Sequence, residues 1–396
     1  MDREDIVIIG GGLCGLATAL ALHRKGIKSV VLEKSDKLRE GGIALSIVTN
    51  GWRALDQLGV ASKLRTVSFP VLGFHDIVLD NGTEWRTSAS NEEIRTFRRM
   101  HLIEALANEL PEGTIRFGYQ ISAITLDPDA SYPTIHLHDG TTINAKVVIG
   151  CDGAYSRVAE CVGLRPIKHY KMSVIRGLTN YPNGHGITEK GLLRIRKGNV
   201  IIGRIPMGDN LVYWFLSMKS PSHGSNELKD SNIIKELGVQ AVHDFPSETL
   251  NMVKQSDINT LHFYNLHYRP PWNLFLENFS KGNVIVAGDS MHLMAPALGQ
   301  GGSAALEDSI VLARCMANNM LVHGSQNMDW GNATLAFTQF VKERRLRLWW
   351  LSLNTHLILC LGEYSSSKVM CLFCIFLITL LFRKPLWDAQ YDCGVL

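Results

Sequence analysis

Three short stretches of this chain carry residue types and spacings that can do chemistry. The first is "DIVIIGGGLCGLATALALHRKGIKSVVLEKSD", residues 5 to 36, in which Gly10, Gly12 and Gly15 follow an apolar run. Gly10 permits a tight turn, Gly12 lets the backbone come close to a pyrophosphate, and Gly15 lets helix and strand pack closely. The N–H groups of Leu13 and Cys14 fall at a helix N-terminus, where anions bind. Glu33 ends the next apolar run, placed to accept hydrogen bonds from ribose hydroxyls and to disfavour a 2′-phosphate. The stretch therefore suits FAD or NAD better than NADP, and by itself does not separate FAD from NAD.

The second stretch, "VVIGCDGAYSRVAE" (147–160), runs an apolar strand into Asp152-Gly153, with Ser156-Arg157 behind. The third, "VIVAGDSMHLMAPALGQGGSAALED" (284–308), ends a strand at Gly288-Asp289 and opens a helix at Gly299, Gly301 and Gly302. Both set a carboxylate at the C-terminal end of a strand, where open α/β sheets bind ligands. The third adds a second glycine-rich helix N-terminus, able to stabilise negative charge. No Ser-His-Asp set is apparent, so no side chain is assigned a catalytic role. "CLFC" (371–374) lies in an apolar run without a second pair or a nearby His, which argues against a metal site.

These residues need rigid elements to hold them. Ile6 to Ile9 reads as a strand buried on both faces of a parallel sheet. Leu16 to Leu22 suits a helix, and "KSVVLE" a second buried strand. Trp52, Leu55 and Leu58 have helical spacing, and "RRMHLIEALANEL" (98–110) reads as helix ended by Pro111. "DNG" in 71–98 signals a hairpin, and "HDG" before "TTINAKVVIG" another turn. Residues 173 to 218 read as antiparallel strands turning at "KGN" and "GDN", followed by a more polar helical segment (226–257). The expected fold is α/β: a Rossmann-like nucleotide-binding domain of residues 1–70, 100–170 and 281–345, interleaved with an antiparallel-sheet substrate domain of 71–99 and 171–280. A helical C-terminal tail, 346–396, completes the chain.

The 396 residues supply ample material for a large core, 46% of them apolar and 19% charged. A formal net charge of +3 is too small to argue for nucleic acid. Eight scattered cysteines read as reduced thiols. The glycine motif begins close to Met1, leaving no room before it for a signal or transit peptide, so a cytoplasmic location is expected.

The three motifs, in this order and spacing, resemble the flavin motifs of the class A flavoprotein monooxygenases, the family of para-hydroxybenzoate hydroxylase, salicylate hydroxylase and zeaxanthin epoxidase. "NGWRALDQLGV" and "RRMHLIEALANELP" look closest to its plant members. The resemblance runs from residue 5 to about 345. It implies a glutathione-reductase-type FAD domain, with Glu33 at the adenosine ribose and Arg39 and Arg99 at the diphosphate or ribityl side. It further implies Asp289 at the ribityl chain, Gly299 to Gly302 near the flavin ring and pyrophosphate, and Asp152 ordering the pocket and influencing NAD(P)H use. The implied reaction takes NAD(P)H and O2 and hydroxylates or epoxidises a small aromatic or isoprenoid substrate through a flavin C4a-hydroperoxide. A flavin reductase without oxygen transfer and a non-catalytic binding protein are the alternatives. One departure is Leu293, where the family usually has proline after the histidine matching His292.

"VMCLFCIFLITLLF" (369–382) is uncharged and mostly apolar between Lys368 and Arg383-Lys384. As a helix it spans ~21 Å, short of the roughly 30 Å hydrocarbon core of a bilayer. Three placements stay open: docking on the protein, lying on a membrane surface, or spanning the membrane.

Overall fold

The structure, a computed structural model, describes residues 2–38, 43–126, 132–221, 228–321, 328–363, 368–381 and 387–396. An eight-stranded sheet carries the strands of all three motifs. Its main path runs Ser280–Lys281, Val284–Val286, Thr142–Gly150, Asp2–Ile9, Val30–Glu33, Ile115–Phe117. All neighbours on this path are parallel except the first pair. Ile6 to Ile9 are at most 3% exposed, because helices cover both sheet faces and leave no polar side for alternation. Thr134–Leu137 and Ile121–Thr125 extend the sheet antiparallel, with the "HDG" turn between Thr134–Leu137 and Thr142–Gly150.

A seven-stranded sheet lies beside it, in the order His262–Tyr268, Lys168–Asn180, Leu211–Lys219, Val200–Pro206, Leu192–Lys197, Gly73–Val78, Thr83–Ser88. Its first strand pairs are antiparallel, and the "KGN", "GDN" and "DNG" turns fall where the sequence puts them. Alternation gives the sheet two apolar faces. On the outer one Ile175, Val212, Trp214 and Leu216 pack with Ile234, Met252 and Val253 of the helices Ser231–Ala241 and Ser247–Lys254. On the inner one Tyr170, Met172 and Val174 pack with Ala295, while Leu178 and Tyr213 pack with Ala44 and Val48. The inner face is thereby turned toward the third motif and the strand Ala44–Ile47.

Helix Leu13–Arg24 packs against the twenty-residue helix Gly301–Met320, which in turn packs against the 31-residue helix Ala333–Glu363. The last residues return across these helices. Arg53 donates to Gln390 O at 2.7 Å, Gln57 to Gly394 O at 2.9 Å, and Arg314 to the carbonyls of Cys393 and Val395 at 2.8 Å each. Helix Lys368–Leu381 buries Cys374 beside Leu377 and Ile378 against Leu353, Leu357 and Leu361. Its other side exposes Val369, Leu372, Phe373, Ile375 and Phe376. Among the described residues no helix is long and apolar enough to cross a membrane.

Candidate functional site

The glycine turn between strand Asp2–Ile9 and helix Leu13–Arg24 is built as its spacing demands. Gly10 has φ +105°, and a Cβ there would stand 2.5 Å from Cys151 O. A Cβ on Gly15 would stand 1.9 Å from Gly10 O, so only glycine lets the helix begin this close to the strand. At Gly12 a Cβ meets no protein atom within 4 Å, so that glycine is not required by the fold. Gly12 is also the N-cap residue and offers no side-chain acceptor to the first helical N–H groups, Leu13 and Cys14 among them. Glu33 is 3% exposed and accepts from Gly11 N at 2.7 Å and Ser35 N at 3.0 Å. The acid thus braces the glycine turn, a role that spacing alone did not reveal.

The second and third motifs are tied together. Asp152 accepts from Ser156 Oγ at 2.5 Å, from Ser290 Oγ at 3.0 Å, and from the backbone N–H of Arg157 at 2.7 Å. Ser156 then caps the helix Arg157–Cys161 through Ala159 N at 2.8 Å. Burial pushes the Asp152 carboxyl up, and these hydrogen bonds oppose it. The Arg157 side chain turns away to Glu160. Asp152 therefore reaches the third motif through Ser290, whose Oγ also accepts from Gly153 N at 2.8 Å.

Asp289 opens the short helix Asp289–His292 and is exposed to solvent, while the protein around it pushes its carboxyl up. The charges of His292 and of Arg99, the first residue of helix Arg99–Ala107, oppose that rise. A Cβ on Gly288 would touch Cys14 Sγ at 2.8 Å, and one on Gly302 would touch Leu13, Leu45 and Ile47 at 3.4 to 3.5 Å. The first and third motifs therefore share one seam. A hydrogen bond with Cys151, then burial, hold the Cys14 thiol well above its usual range, so Cys14 is a packing residue there. Gly299, with φ +65°, and Gly301 lead into helix Gly301–Met320, whose N-cap Gln300 makes no side-chain capping bond. Arg39 lies outside the described residues. The loop at Leu293 is held without proline: Arg269 N donates to Leu293 O at 2.8 Å, and the Arg269 guanidinium to Ser290 O at 3.3 Å.

Beneath the third motif lies an ion network. Asp308 accepts from Gly288 N at 3.0 Å and Arg344 Nε at 2.7 Å, and pairs with His292 Nε2 at 2.6 Å. Burial raises the Asp308 carboxyl, but His292 and Arg344 outweigh it and hold it at about 2. Arg344 also reaches Glu307 at 2.5 Å, and Glu307 accepts from Asn50 at 2.5 Å and Arg347 at 3.3 Å. Arg347 continues to Asp388 in the returning terminus at 3.3 Å. The described cluster joins charges scattered from His292 to Asp388 with Asn50 from far upstream, and sequence spacing carried no signal for it.

A surface hollow of about 560 Å³, lined by Gly118–Gln120, Leu137–Asp139 and Thr141–Ile143, includes none of the motif residues. The first and third motifs meet instead where Gly288 approaches Cys14 and Gly302 approaches Leu13.

Fold and seam define a dinucleotide-binding α/β protein with an antiparallel sheet laid over the C-terminal ends of its parallel strands. Solved structures agree: Klebsiella pneumoniae HpxO complexed with FAD and uric acid has the same fold, with a TM-score of 0.79 at 19% identity over 94% of this chain and 91% of that one. Residues 3–328 match the FAD binding domain family. Along its full length the chain is 45% identical to Monooxygenase 1 of Arabidopsis thaliana and 37% identical to Monooxygenase 2 of the same plant, covering all of each. The chain belongs to this family of FAD-dependent monooxygenases.

Proposed function

We propose that this protein binds FAD in the seam and uses NADH or NADPH with O2 to hydroxylate or epoxidise a small organic substrate. The observation that carries the reading is the meeting of two helix N-termini without side-chain caps, at Gly12 and Gln300, where a Cβ on Gly302 would stand 3.4 Å from Leu13, with Asp289 near enough to Arg99 to feel its charge. These groups fit the cofactor. The N–H groups of Leu13 and Cys14 would meet the pyrophosphate, across the open space at Gly12. Glu33, already holding the turn, keeps acceptor capacity for ribose hydroxyls. Asp289 and Arg99 would take the ribityl and diphosphate side, and Arg39 follows from the family pattern alone. The dipole of helix Gly301–Met320 would favour negative charge at Gly299–Gly302. FAD supplies the redox and oxygen chemistry when bound. The chain itself orients substrate against the inner sheet face and excludes water.

The test is the absorption spectrum of the purified protein, then NADH and NADPH oxidation under air with phenols and isoprenoids, with 18O2 label followed into product. Flavin bands and label in product support the reading. Anaerobic substrate reduction without label means a reductase. A protein that neither retains nor takes up FAD means a binding module.

A second reading concerns helix Lys368–Leu381. Its exposed arc, Val369, Leu372, Phe373, Ile375 and Phe376, is apolar and opposite the stripe that docks on helix Ala333–Glu363. Lys368 precedes it and Arg383-Lys384 follow in sequence. An apolar arc with cationic ends matches an anionic bilayer surface. Flotation with phosphatidylcholine–phosphatidylserine vesicles should carry the protein up, and Phe373→Asp with Phe376→Asp should abolish it. Failure of the parent protein to float removes this reading.

A further inference from the structure

We propose that two copies of this chain pair through the edge strand Thr83–Ser88 of the seven-stranded sheet, antiparallel and about a two-fold axis at Trp85, so that one continuous sheet runs through both molecules. Pairing of this kind depends on neither the cofactor nor the reaction.

An open sheet edge presents unpaired N–H and C=O groups to any strand that meets it, and folded proteins blunt such edges by shortness, bulges, lysine, proline or a covering element. In the two large sheets the other described edges show these devices. Ser280–Lys281 and Ile115–Phe117 are two and three residues long. Ile121–Thr125 and His262–Tyr268 pair with their neighbours in irregular register, at His136/Leu137 and between His169 and Ser173. Thr83–Ser88 is different. It runs six residues in unbroken register along Gly73–Val78 and holds no proline, lysine or glycine. Every residue in it but Thr87 is exposed, Trp85 included, so nothing among the described residues covers it. Thr83, Trp85 and Thr87 are strand-favouring residues.

The two charges of the strand, Glu84 and Arg86, select a second copy rather than repel it. Opposite residues in an antiparallel pair turn their backbone groups either both toward each other or both away. A two-fold axis between copies of one strand therefore falls on a residue and not between two. With the axis on Trp85, Glu84 faces the partner's Arg86 and Arg86 the partner's Glu84, Thr83 faces the partner's Thr87, and the two indoles meet. Opposite charges, threonine pairs and aromatic pairs are each favourable across strands, whereas like charges directly opposite are destabilising. An axis on Glu84 or on Arg86 sets like charges opposite, and an axis on Thr87 leaves only three residues of the strand in the pair. Within one chain Glu84 lies 2.7 Å from His75 Nε2, and Arg86 reaches Glu84 at 3.4 Å and Glu189 at 2.8 Å. The Glu84 and Arg86 side chains nevertheless stay about half exposed, open to further partners. Between this edge and the strand Lys168–Asn180, whose inner face packs toward the third motif, lie four strands, so pairing leaves that region untouched.

The test is sedimentation of the purified full chain, with saturating FAD, across the micromolar range, where so small an interface is expected to form and dissociate. The mass should rise with concentration from one chain toward two. Trp85→Lys, which sets two like charges on the axis, and Glu84→Arg, which sets arginine against arginine, should each weaken the dimer tenfold or more. Adding Arg86→Glu to Glu84→Arg restores opposite charges across the axis and should bring the dimer back within threefold of the parent, a recovery that misfolding does not imitate. Urea midpoints measured alongside should stay near the parent's in every variant, since all three positions are exposed. A monomer at every concentration, a dimer indifferent to Trp85→Lys, or a charge exchange that fails to rescue overturns the proposal. None of these outcomes touches the monooxygenase reading, which stands or falls on FAD uptake and label in product.

Discussion

Replacing Arg344 by methionine isolates the charge network beneath the third motif. Arg344 is fully buried and donates to Asp308 at 2.7 Å and to Glu307 at 2.5 Å. Methionine keeps much of the volume, so the chief loss is the shared cation between two carboxylates with no exposure. Removing one partner of a buried pair costs about 3–5 kcal/mol. Glu307 keeps Asn50 and Arg347, and Asp308 keeps His292, which places Arg344→Met toward the lower end. The Asp308 carboxyl points the same way: burial raises it, and His292 and then Arg344 outweigh burial and hold it at about 2, below the ordinary 3.8. Because the folded-state value is the depressed one, its contribution to stability is complete above the unfolded value and is lost as pH falls from 3.8 through about 2. Without Arg344 the folded state takes up protons at these carboxylates more readily than the parent does. The gap between parent and variant should therefore narrow as pH is lowered. The assay is urea unfolding with saturating FAD, followed by circular dichroism at neutral and mildly acidic pH. A gap under about 1 kcal/mol at neutral pH, or one that widens on acidification, would refute the reasoning.

Other outcomes follow from the same geometry. Gly12→Ala meets open space and should leave folding stability within about 0.5 kcal/mol while lowering FAD affinity at least tenfold, whereas Gly15→Ala, 1.9 Å from Gly10 O, should lower stability as well; FAD titration and thermal melts separate the two. Asp152→Ala removes the acceptor for Arg157 N and for two serines and should cost about 1–2 kcal/mol of stability, measured by denaturant unfolding. Asp388→Ala removes an acceptor shared by Arg347 and Asn354 and should destabilise by about 1–3 kcal/mol; an unchanged unfolding midpoint would detach the terminus from the network.

Much of this molecule was legible in its sequence, because the determining features are local. A tight turn, a helix that starts close to a strand and a buried parallel strand each leave a mark within a few residues, as Gly10, Gly15 and Ile6–Ile9 do. Hairpin turns at "DNG", "KGN" and "GDN" are equally local, and the family pattern added the order of the three motifs. Other features depend on residues brought together only by the fold. The charge network joins Asn50, Asp308, Arg344 and Asp388, whose pairing no local period encodes. Asp152 reads in sequence as one more carboxylate at a strand end; its bond to Ser290 shows it joining two motifs. Arg176 is one basic residue in a long strand until the fold sets its guanidinium against the Tyr264 ring with no ion-pair partner among the described residues. The C-terminal helix is apolar on every side, so its sequence could not tell which stripe meets protein. The packing of Cys374, Leu377 and Ile378 on helix Ala333–Glu363 decided that, and left the opposite arc exposed. Local steric requirements are written into short stretches of chain, whereas burial, charge pairing and exposure are set by which distant segments come to share a surface.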